Sequence, residues 1–408
     1  MGNIFTILPK PSEQRIAVKI KPAAERAARK KHPWVFDGSI TKQSAQGEAG
    51  DIAIIFDQKK NKFLALGLYD PFSPVRIKLL AFAPTQLNDS WFQNTIDRAW
   101  QKRLPLFETD TNSYRLIYGE NDGLPGLIAD VYDHVLVLKL YSFIWLPYLE
   151  LLVGLLLNKS KAACCVLRLS RNLQARPDAL YGLEEGMVLS GQLVQSEVVF
   201  KEYGLKFMAN VIKGHKTGFF LDHRHNRKKA RQLSKAERVL DIFSYAGGFS
   251  VHAYAGGAKE VISLDISAQA QKMAQRNMAL NFDKPTHKIM VADAFEGMRQ
   301  LARERQRFGL VIVDPPSFAK QESEKEGAIL SYKRLLRLAV PLVKTGGILL
   351  MASCSSRVSA DDFFALVEQE LTATGRPYEL LEKTFHDIDH PISFPEGAYL
   401  KAGYYRMG

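Results

Sequence analysis

The stretch Arg238-Val-Leu-Asp-Ile-Phe-Ser-Tyr-Ala-Gly-Gly-Phe-Ser250 decides the fold of the C-terminal half of the chain. Its apolar run through Asp241 predicts a buried strand, and Gly247 and Gly248 predict a tight turn that leads into a helix. The spacing matches neither a dinucleotide-binding GxGxxG motif nor a P-loop, so the sequence favours a cofactor without a pyrophosphate. The alternative is a tight turn whose glycines serve packing alone.

Strands and helices alternate regularly from about residue 208 to residue 408. We predict strands over 238–243, 260–266, 288–292, 309–313 and 347–352. Two helices are expected to begin at N-caps, one at Ser267 and one at Ser359 with Asp362 three residues on. This alternation predicts an α/β domain with a doubly wound, mostly parallel sheet. The closing stretch 399–407 is expected to add an antiparallel strand at the sheet edge.

The rest of the chain predicts two further domains. Residues 1–85 are β-rich after an extension of about 14 residues, with strands over 52–56 and 63–69. Residues 90–205 form a central α+β module, with helices over 90–105 and 146–157, strands over 135–140 and 165–169, and a polar turn over 119–126.

The charge is strongly positive and unevenly distributed. The formal net charge is +12, and residues 1–83 hold fourteen lysines and arginines against seven aspartates and glutamates. Such an excess favours a polyanionic partner, and nucleic acid more than a membrane because no basic amphipathic helix is evident. The candidate RNA-binding residues are Lys19, Lys21, Arg26, Arg29, Lys30, Lys31 and Trp34.

The three cysteines indicate a reduced, cytoplasmic protein. Cys164 and Cys165 are adjacent and are expected to pack in a strand of the central module. No cysteine and histidine spacing resembles a zinc site, so we expect no metal. We also expect no signal peptide and no membrane span, because no apolar run of about 18 residues is apparent.

Carboxylates follow several of the predicted strands. Ligands of open α/β sheets bind beyond the carboxyl ends of the strands, where Asp241, Asp265 and Asp293 lie. Asp265 is placed to accept ribose hydroxyls and Asp293 to meet an adenine edge. Both acids would alternatively serve only to start helices.

Two motifs predict the chemistry. Asp314-Pro-Pro-Ser-Phe318 is a rigid acidic turn with an aromatic ring, suited to holding a planar base, although it could be an ordinary proline-terminated strand. Cys354 follows the strand over 347–352 and is a candidate nucleophile, although a lone cysteine in a strand is more often a small core residue.

With these motifs the chain resembles the class I S-adenosylmethionine-dependent methyltransferases with a Rossmann-like domain. More narrowly, it is similar to bacterial ribosomal RNA cytosine-5 methyltransferases that carry an N-terminal PUA domain. The matching segments run in family order: His32-Pro-Trp-Val-Phe-Asp-Gly38, Tyr114-Arg-Leu-Ile-Tyr-Gly-Glu-Asn-Asp-Gly-Leu-Pro-Gly126, Lys216-Thr-Gly-Phe-Phe-Leu-Asp-His-Arg224, Phe243-Ser-Tyr-Ala-Gly-Gly-Phe-Ser250, Asp314-Pro-Pro-Ser-Phe318, Ser353-Cys-Ser355, His390-Pro391 and Phe394-Pro-Glu-Gly-Ala-Tyr-Leu-Lys401.

The resemblance implies a PUA-like domain that grips structured RNA, S-adenosylmethionine as the cofactor, and 23S ribosomal RNA as the substrate. It implies that Cys354 is the nucleophile, that Asp314 orients the cytosine, and that Pro316 and Phe318 contact the base. The implied cofactor-binding residues are Phe220, Asp222, Arg224, Asp241, Phe243, Ser244, Tyr245, Gly247, Asp265, Ile266, Asp293, Ala294, Asp314 and Pro315.

Two departures and two rival functions stay open. Ala246 stands where the family commonly has threonine, and about a dozen extra residues precede the PUA-like part. One rival is an RNA methyltransferase acting on guanine N2 or adenine N6, which needs no thiol; there the aromatic usually follows the prolines directly, whereas Ser317 intervenes here. The other is a non-catalytic RNA-binding or ribosome-assembly protein. The resemblance permits a monomer or a homodimer.

Overall fold

The computed structural model describes residues 4–319 and 321–408, and its chain divides into two compact units. The first unit comprises Met1–Phe200, Ala209–Leu221 and Ile388–Pro395. The second comprises Lys201–Met208, Asp222–Asp387 and Glu396–Gly408.

The first sheet of the first unit is built from the N-terminal residues. Its elements are β1 (Arg15–Ile20), α1 (Pro22–Arg29), β2 (Trp34–Phe36), β3 (Ile40–Gln43), β4 (Ile52–Phe56), β5 (Phe63–Tyr69) and β6 (Val75–Ala81). The six strands lie in the order β2-β6-β5-β4-β1-β3. Ile16, Val18 and Ile20 of β1 are buried and alternate with more exposed neighbours, so this strand turns one face to a core. The strands predicted over 52–56 and 63–69 are confirmed.

The second sheet of this unit lies among helices. Its elements are α2 (Asp89–Phe107), β7 (Ser113–Tyr118), β8 (Leu127–Tyr132), β9 (Val135–Leu140), α3 (Leu149–Ser160), β10 (Cys164–Leu169), α4 (Arg171–Gln174) and β11 (Val188–Ser190). The strand order is β11-β10-β9-β8-β7. Cys164 and Cys165 are buried in β10, as predicted, and burial raises the pKa of both thiols.

The predicted polar turn over 119–126 contains a short 3-10 helix, Gly119–Asp122, and a buried ion pair. Asp122 pairs with Arg103 of α2, whose guanidinium also donates to the carbonyls of Arg115 and Asp389. Burial raises the pKa of Asp122, but the charge and hydrogen bonds of Arg103 outweigh this effect and hold it below its usual value. Asp122 is therefore a structural residue of this unit.

One expectation about membrane spans needs correction. The helical stretch Phe143–Ser160 reaches the length and composition of a membrane span, with a mean hydropathy of 1.2, and the sequence reading overlooked it. Half of the stretch is buried, and Trp145, Leu149, Leu152 and Leu156 pack in the core of the first unit. A buried core helix of a soluble protein has the same composition.

The second unit is an α/β domain. Its elements are α5 (Arg224–Leu233), β14 (Arg238–Ile242), α6 (Gly248–Ala255), β15 (Glu260–Asp265), α7 (Ala268–Ala279), β16 (His287–Val291), α8 (Ala294–Arg303), β17 (Phe308–Val313), α9 (Lys325–Ala339), β18 (Val343–Ser353), α10 (Ala360–Ala373), β19 (Tyr378–Thr384) and β20 (Lys401–Met407). A hairpin of β12 (Glu197–Glu202) and β13 (Leu205–Asn210) contributes residues to both units.

The sheet of this unit has the order β16-β15-β14-β17-β18-β20-β19. Its first five strands are parallel, so the predicted doubly wound sheet is confirmed. The N-caps at Ser267 and Ser359 are also confirmed, since their hydroxyls accept from the amides of Ala270 and Asp362.

The last strand is antiparallel, as expected, but its predicted edge position is wrong. β20 pairs with β18 on one side and with β19 on the other, which makes β19 the edge. Ala402, Tyr404, Tyr405 and Met407 of β20 are fully buried, as suits an inner strand. β19 was missed because charged residues interrupt its short apolar pattern.

Candidate active site

The parallel strands bring carboxylates to one edge of the sheet. Asp241 lies in β14, Asp265 ends β15, and Asp314 directly follows β17. Because neighbouring parallel strands end on the same side, these three residues lie at one ligand-binding edge. The negative charges of Asp314 and Asp265 both act to raise the pKa of Asp241, so the three carboxylates share one electrostatic environment.

The turn after β14 has an unusual backbone. Phe243, Tyr245 and Gly247 have φ values of 63°, 46° and 74°, a region that side chains other than glycine rarely occupy. Asp265 holds the turn, because its Oδ2 accepts from the Tyr245 amide at 2.9 Å. A Cβ at position 247 would lie 2.8 Å from the Cβ of Ala274, so α7 leaves space only for glycine there.

Asp241 is buried at the centre of this edge. Its Oδ2 accepts from the Ser250 hydroxyl at 2.6 Å. Burial raises the pKa of Asp241 to about 7, and the negative charges of Asp314 and Asp265 act in the same direction. A nearby cation would stabilise the ionised carboxylate, and S-adenosylmethionine carries positive charge at its sulfonium and at its amino group. The residues therefore fit that cofactor.

Other predicted cofactor residues lie along the same edge. Ile266 exposes 72% of its surface, so an apolar face is available beside Asp265. Ser244 accepts a hydrogen bond from Gln271 at 2.8 Å. Asp293 Oδ1 accepts from the amides of Phe295 and Glu296, so this acid caps α8, and Ala294 is the first residue of that helix. The adenine contact of Asp293 stays a prediction.

Side chains at the start of α5 and just before it bind other residues of the protein. Asp222 Oδ2 accepts from the Tyr399 hydroxyl at 2.7 Å. Arg224 is fully buried and pairs with Asp387 at 3.2 Å and with Glu202 at 3.9 Å. Phe220 belongs to the first unit. Cofactor contacts by Phe220, Asp222 and Arg224 stay predictions.

The two predicted catalytic residues lie together. Cys354 follows β18, and its Sγ is 3.8 Å from Asp314 Oδ1. His223 completes the group: its Nε2 lies 3.2 Å from the same Asp314 oxygen and 3.6 Å from Cys354 Sγ. His223 lies in the segment 216–224 that matches the family, but the sequence alone indicated no role for it. The three ligand atoms would also suit a cation, and the expectation of no metal stays a prediction.

Neighbouring side chains contact the turn after Asp314, which was predicted to bind the base, and the loop after Cys354. Pro315 is buried, Pro316 is exposed, and the ring of Phe318 packs edge to face on Tyr332 at 5.3 Å between centroids. Lys401 of β20 donates to the carbonyls of Ser355 and Val358. Burial lowers the pKa of Lys401 to about 8, while Cys354 acts to raise it. Lys401 thus positions the Cys354 loop, a role that the sequence did not reveal.

The predicted RNA-binding residues lie on and around α1 in the first unit. Lys21, Arg26, Arg29, Lys30 and Lys31 are exposed, and Lys19 is half-buried. Trp34 is also half-buried; its Nε1 donates to Glu120 at 2.9 Å, and its ring packs edge to face on Phe394. The structure contains no RNA, so these contacts stay predictions.

A doubly wound, mostly parallel sheet with carboxylates at successive strand ends fits the class of S-adenosylmethionine-dependent methyltransferases. Residues 127–405 match the model of the S-adenosylmethionine-dependent methyltransferase family, and residues 18–82 match a PUA-like domain. A ribosomal RNA large subunit methyltransferase of Deinococcus radiodurans is 44% identical over 98% of this chain and 99% of its own length. Ribosomal RNA large subunit methyltransferase I of Escherichia coli is 33% identical over 92% of this chain and 96% of its own length.

A solved structure, a putative S-adenosylmethionine-dependent methyltransferase from Streptococcus mutans, has the same fold. Its TM-score is 0.80 at 18% identity, over 96% of this chain and 99% of that one. The chain belongs to the ribosomal RNA large subunit methyltransferase family, and its cofactor is S-adenosylmethionine.

Proposed function

We propose that this protein methylates carbon 5 of a cytosine in 23S ribosomal RNA through a covalent bond to Cys354. The observation that carries the proposal is the placement of Cys354 Sγ 3.8 Å from Asp314 Oδ1, beyond the strand ends of the sheet. The large-subunit RNA substrate is taken from the names of relatives that align over nearly the whole chain. Cytoplasmic localisation is part of the same proposal.

The cofactor supplies an electrophilic methyl group when it is bound. Asp241 would hold the methionine part by its charge, Asp265 would accept the ribose hydroxyls, and Ile266 would cover the adenine with its exposed apolar face. The turn from Phe243 to Gly247 would bring the backbone close to the cofactor, and the packing of Gly247 against Ala274 would hold the turn in place.

The residues of the chain supply the nucleophile and orient the base. Carbon 5 of cytosine is a poor nucleophile by itself. A Cys354 thiolate that bonds to carbon 6 pushes electron density onto carbon 5 and so activates it. Asp314 would bind the N3 and N4 edge of the ring. After carbon 5 has been methylated, loss of its proton and departure of the thiolate restore the aromatic ring.

The target base must leave its stack to reach Cys354, as other base-modifying enzymes require. We expect the exposed cations around α1 to hold the surrounding RNA by its phosphates. This places affinity for RNA in the first unit and the chemistry in the second.

Methyl transfer to RNA tests the proposal. RNA from a strain lacking the gene is incubated with labelled S-adenosylmethionine and the protein, and its nucleosides are analysed. We expect 5-methylcytidine in 23S RNA, with a loss of at least about a thousandfold in Cys354→Ala. The control is Cys164→Ala, which changes a buried cysteine in the other unit.

The same analysis separates the rival functions. Label in a methylguanosine or methyladenosine, with Cys354→Ala fully active, would favour amino methylation through the Asp314-Pro-Pro turn. Absence of label from every RNA, with RNA binding intact, would favour a non-catalytic RNA-binding protein.

A further inference from the structure

His223 is a buried imidazole in contact with both catalytic side chains. It exposes 2% of its surface, and its Nε2 faces Asp314 Oδ1 at 3.2 Å and Cys354 Sγ at 3.6 Å. We propose that His223 is a hydrogen-bond donor of fixed tautomer that stabilises the Cys354 thiolate, and that Asp314 takes the thiol proton. The catalytic meaning of this inference rests on the proposed function.

Asn226 determines which ring nitrogen carries the hydrogen. Its Nδ2 lies 3.1 Å from His223 Nδ1. Its Oδ1 accepts from the hydroxyls of Thr384, at 2.6 Å, and Tyr404, at 2.8 Å. In this orientation the NH2 group of the amide faces the imidazole. His223 Nδ1 must then be the acceptor, which leaves the hydrogen on Nε2.

Burial makes this arrangement rigid. Tyr404 is fully buried in β20, and Asn226 is fully buried in α5. Phe249 packs edge to face on the His223 ring, with 5.5 Å between centroids. With little access for water, a hydrogen bond from Nε2 to a charged acceptor is stronger than it would be on the surface.

The fixed tautomer decides where the thiol proton goes. A neutral imidazole that already carries hydrogen on Nε2 cannot accept a proton there, and its Nδ1 faces the Asn226 amide. The S–H bond of Cys354 therefore breaks toward the Asp314 carboxylate, whose Oδ1 is 3.8 Å away. The Asp314 oxygen gains the proton, the sulfur keeps the electron pair, and the His223 N–H donates to the resulting thiolate. This differs from a pair in which histidine is the general base.

Lys401 supplies a second stabilising influence on the same sulfur. Its ammonium fixes the carbonyls of Ser355 and Val358, and its charge acts on Cys354. The thiolate would thus be stabilised by one neutral donor and by the charge of Lys401, without a histidine that needs to change its charge.

Alkylation of Cys354 by iodoacetamide tests the donor role, because the thiolate is the reactive form. Cys164 and Cys165 are fully buried, so mass spectrometry of the intact full-length protein follows Cys354 in the native state. We expect His223→Ala to slow the alkylation about tenfold or more, and His223→Gln to restore part of the rate because an amide can donate in place of the imidazole. His134→Ala removes an exposed histidine of the first unit and is the matched control, with an unchanged rate.

Nitrogen-15 NMR of the imidazole tests the tautomer without relying on a variant of His223. In the wild-type protein near neutral pH, we expect a protonated Nε2 and an unprotonated Nδ1. Asn226→Asp would place a carboxylate against Nδ1 and should protonate that nitrogen as well. An Nδ1–H tautomer in the wild type, or unchanged alkylation in a folded His223→Ala protein, would overturn the inference; S-adenosylmethionine binding by His223→Ala reports folding.

These outcomes are independent of the RNA product. Both measurements use the protein alone, so full methylation by Cys354→Ala would refute the proposed function while the donor role of His223 would still be decided by alkylation and NMR. A slow alkylation in His223→Ala with a different methylated nucleoside would keep the donor and remove its catalytic meaning.

Discussion

At the scale of single residues, the proposed catalytic group of Cys354, Asp314 and His223 contains one member whose role the sequence did not indicate. Asp314 and Cys354 were predicted because each belongs to a short local motif at a strand end. His223 lies 131 residues before Cys354, and its meeting with the thiol depends on the folded sheet. Lys401 belongs to a segment that matches the family, but its contacts could not be predicted because the backbone carbonyls that it binds carry no sequence signal of their own.

The raised pKa of Asp241 predicts that the affinity for the cofactor depends on pH. Burial raises the pKa of this carboxyl to about 7, so much of it is protonated below neutral pH. A positively charged cofactor favours the ionised form, so binding below pH 7 must release a proton. We expect the affinity for S-adenosylmethionine to rise up to about tenfold per pH unit as the pH approaches 7 from below, and to level off above it. Isothermal titration calorimetry between pH 5.5 and 8.5 measures this.

The matched variant is Asp241→Asn, which keeps the shape of the side chain and removes its titration. It should bind more weakly at pH 8 and lose the slope below pH 7. A slope of the same size in this variant would assign the pH dependence to another group.

At the scale of elements, the turn from Phe243 to Gly247 has positive φ values at the proposed cofactor site. Gly247→Ala would combine a φ of 74° with a Cβ that lies 2.8 Å from Ala274. We expect a loss of roughly 1–3 kcal/mol in the free energy of unfolding and a marked loss of cofactor affinity. Thermal unfolding and calorimetry measure the two effects. Gly346→Ala, at a φ of 74° with open space around its Cβ, is the control for backbone strain alone and should leave cofactor affinity unchanged.

The exposed cations around α1 predict an RNA affinity that falls as the salt concentration rises. Changing Lys21, Arg26 and Lys30 to glutamine should weaken binding to 23S RNA and reduce the slope of log affinity against log salt by about 2–3. Filter binding between 50 and 300 mM salt measures the slope. The same loss of charge at the exposed Lys235, Lys272 and Lys284 of the second unit should change it less; equal effects would assign the RNA contact to net charge rather than to α1.

The elements also show where pattern reading succeeds. The strands β14, β15 and β17 were predicted because parallel strands buried on both faces are continuous apolar runs. The edge strand β19 was not predicted, because none of its residues is fully buried and Glu379, Glu382 and Lys383 interrupt its apolar residues. With that strand missing, β20 was assigned to the edge. The helix predicted over 146–157 lies within Phe143–Ser160, but the full length of this apolar stretch was overlooked because it is divided between a 3-10 turn and α3.

At the scale of the whole molecule, we propose that the basic N-terminal segment binds RNA and that the domain with the doubly wound sheet transfers the methyl group. The first unit carries the exposed cations that we propose bind RNA, and the second unit carries the proposed cofactor site together with Cys354, Asp314 and His223. Family membership accounts for the fold and the cofactor, whereas the proposed methylation of carbon 5 would depend on one thiol. The proposed function therefore requires that Cys354 bonds covalently to the target cytosine.

Trapping of that bond is the most direct measurement. In RNA that carries 5-fluorocytidine, the fluorine replaces the hydrogen that must leave carbon 5, so the adduct cannot resolve after methyl transfer. We predict a stable protein–RNA complex that requires S-adenosylmethionine, with the cross-link mapped by mass spectrometry to the peptide containing Cys354, and no complex with Cys354→Ala. Methylation of normal 23S RNA without any such complex, or a complex that persists in Cys354→Ala, would contradict the account.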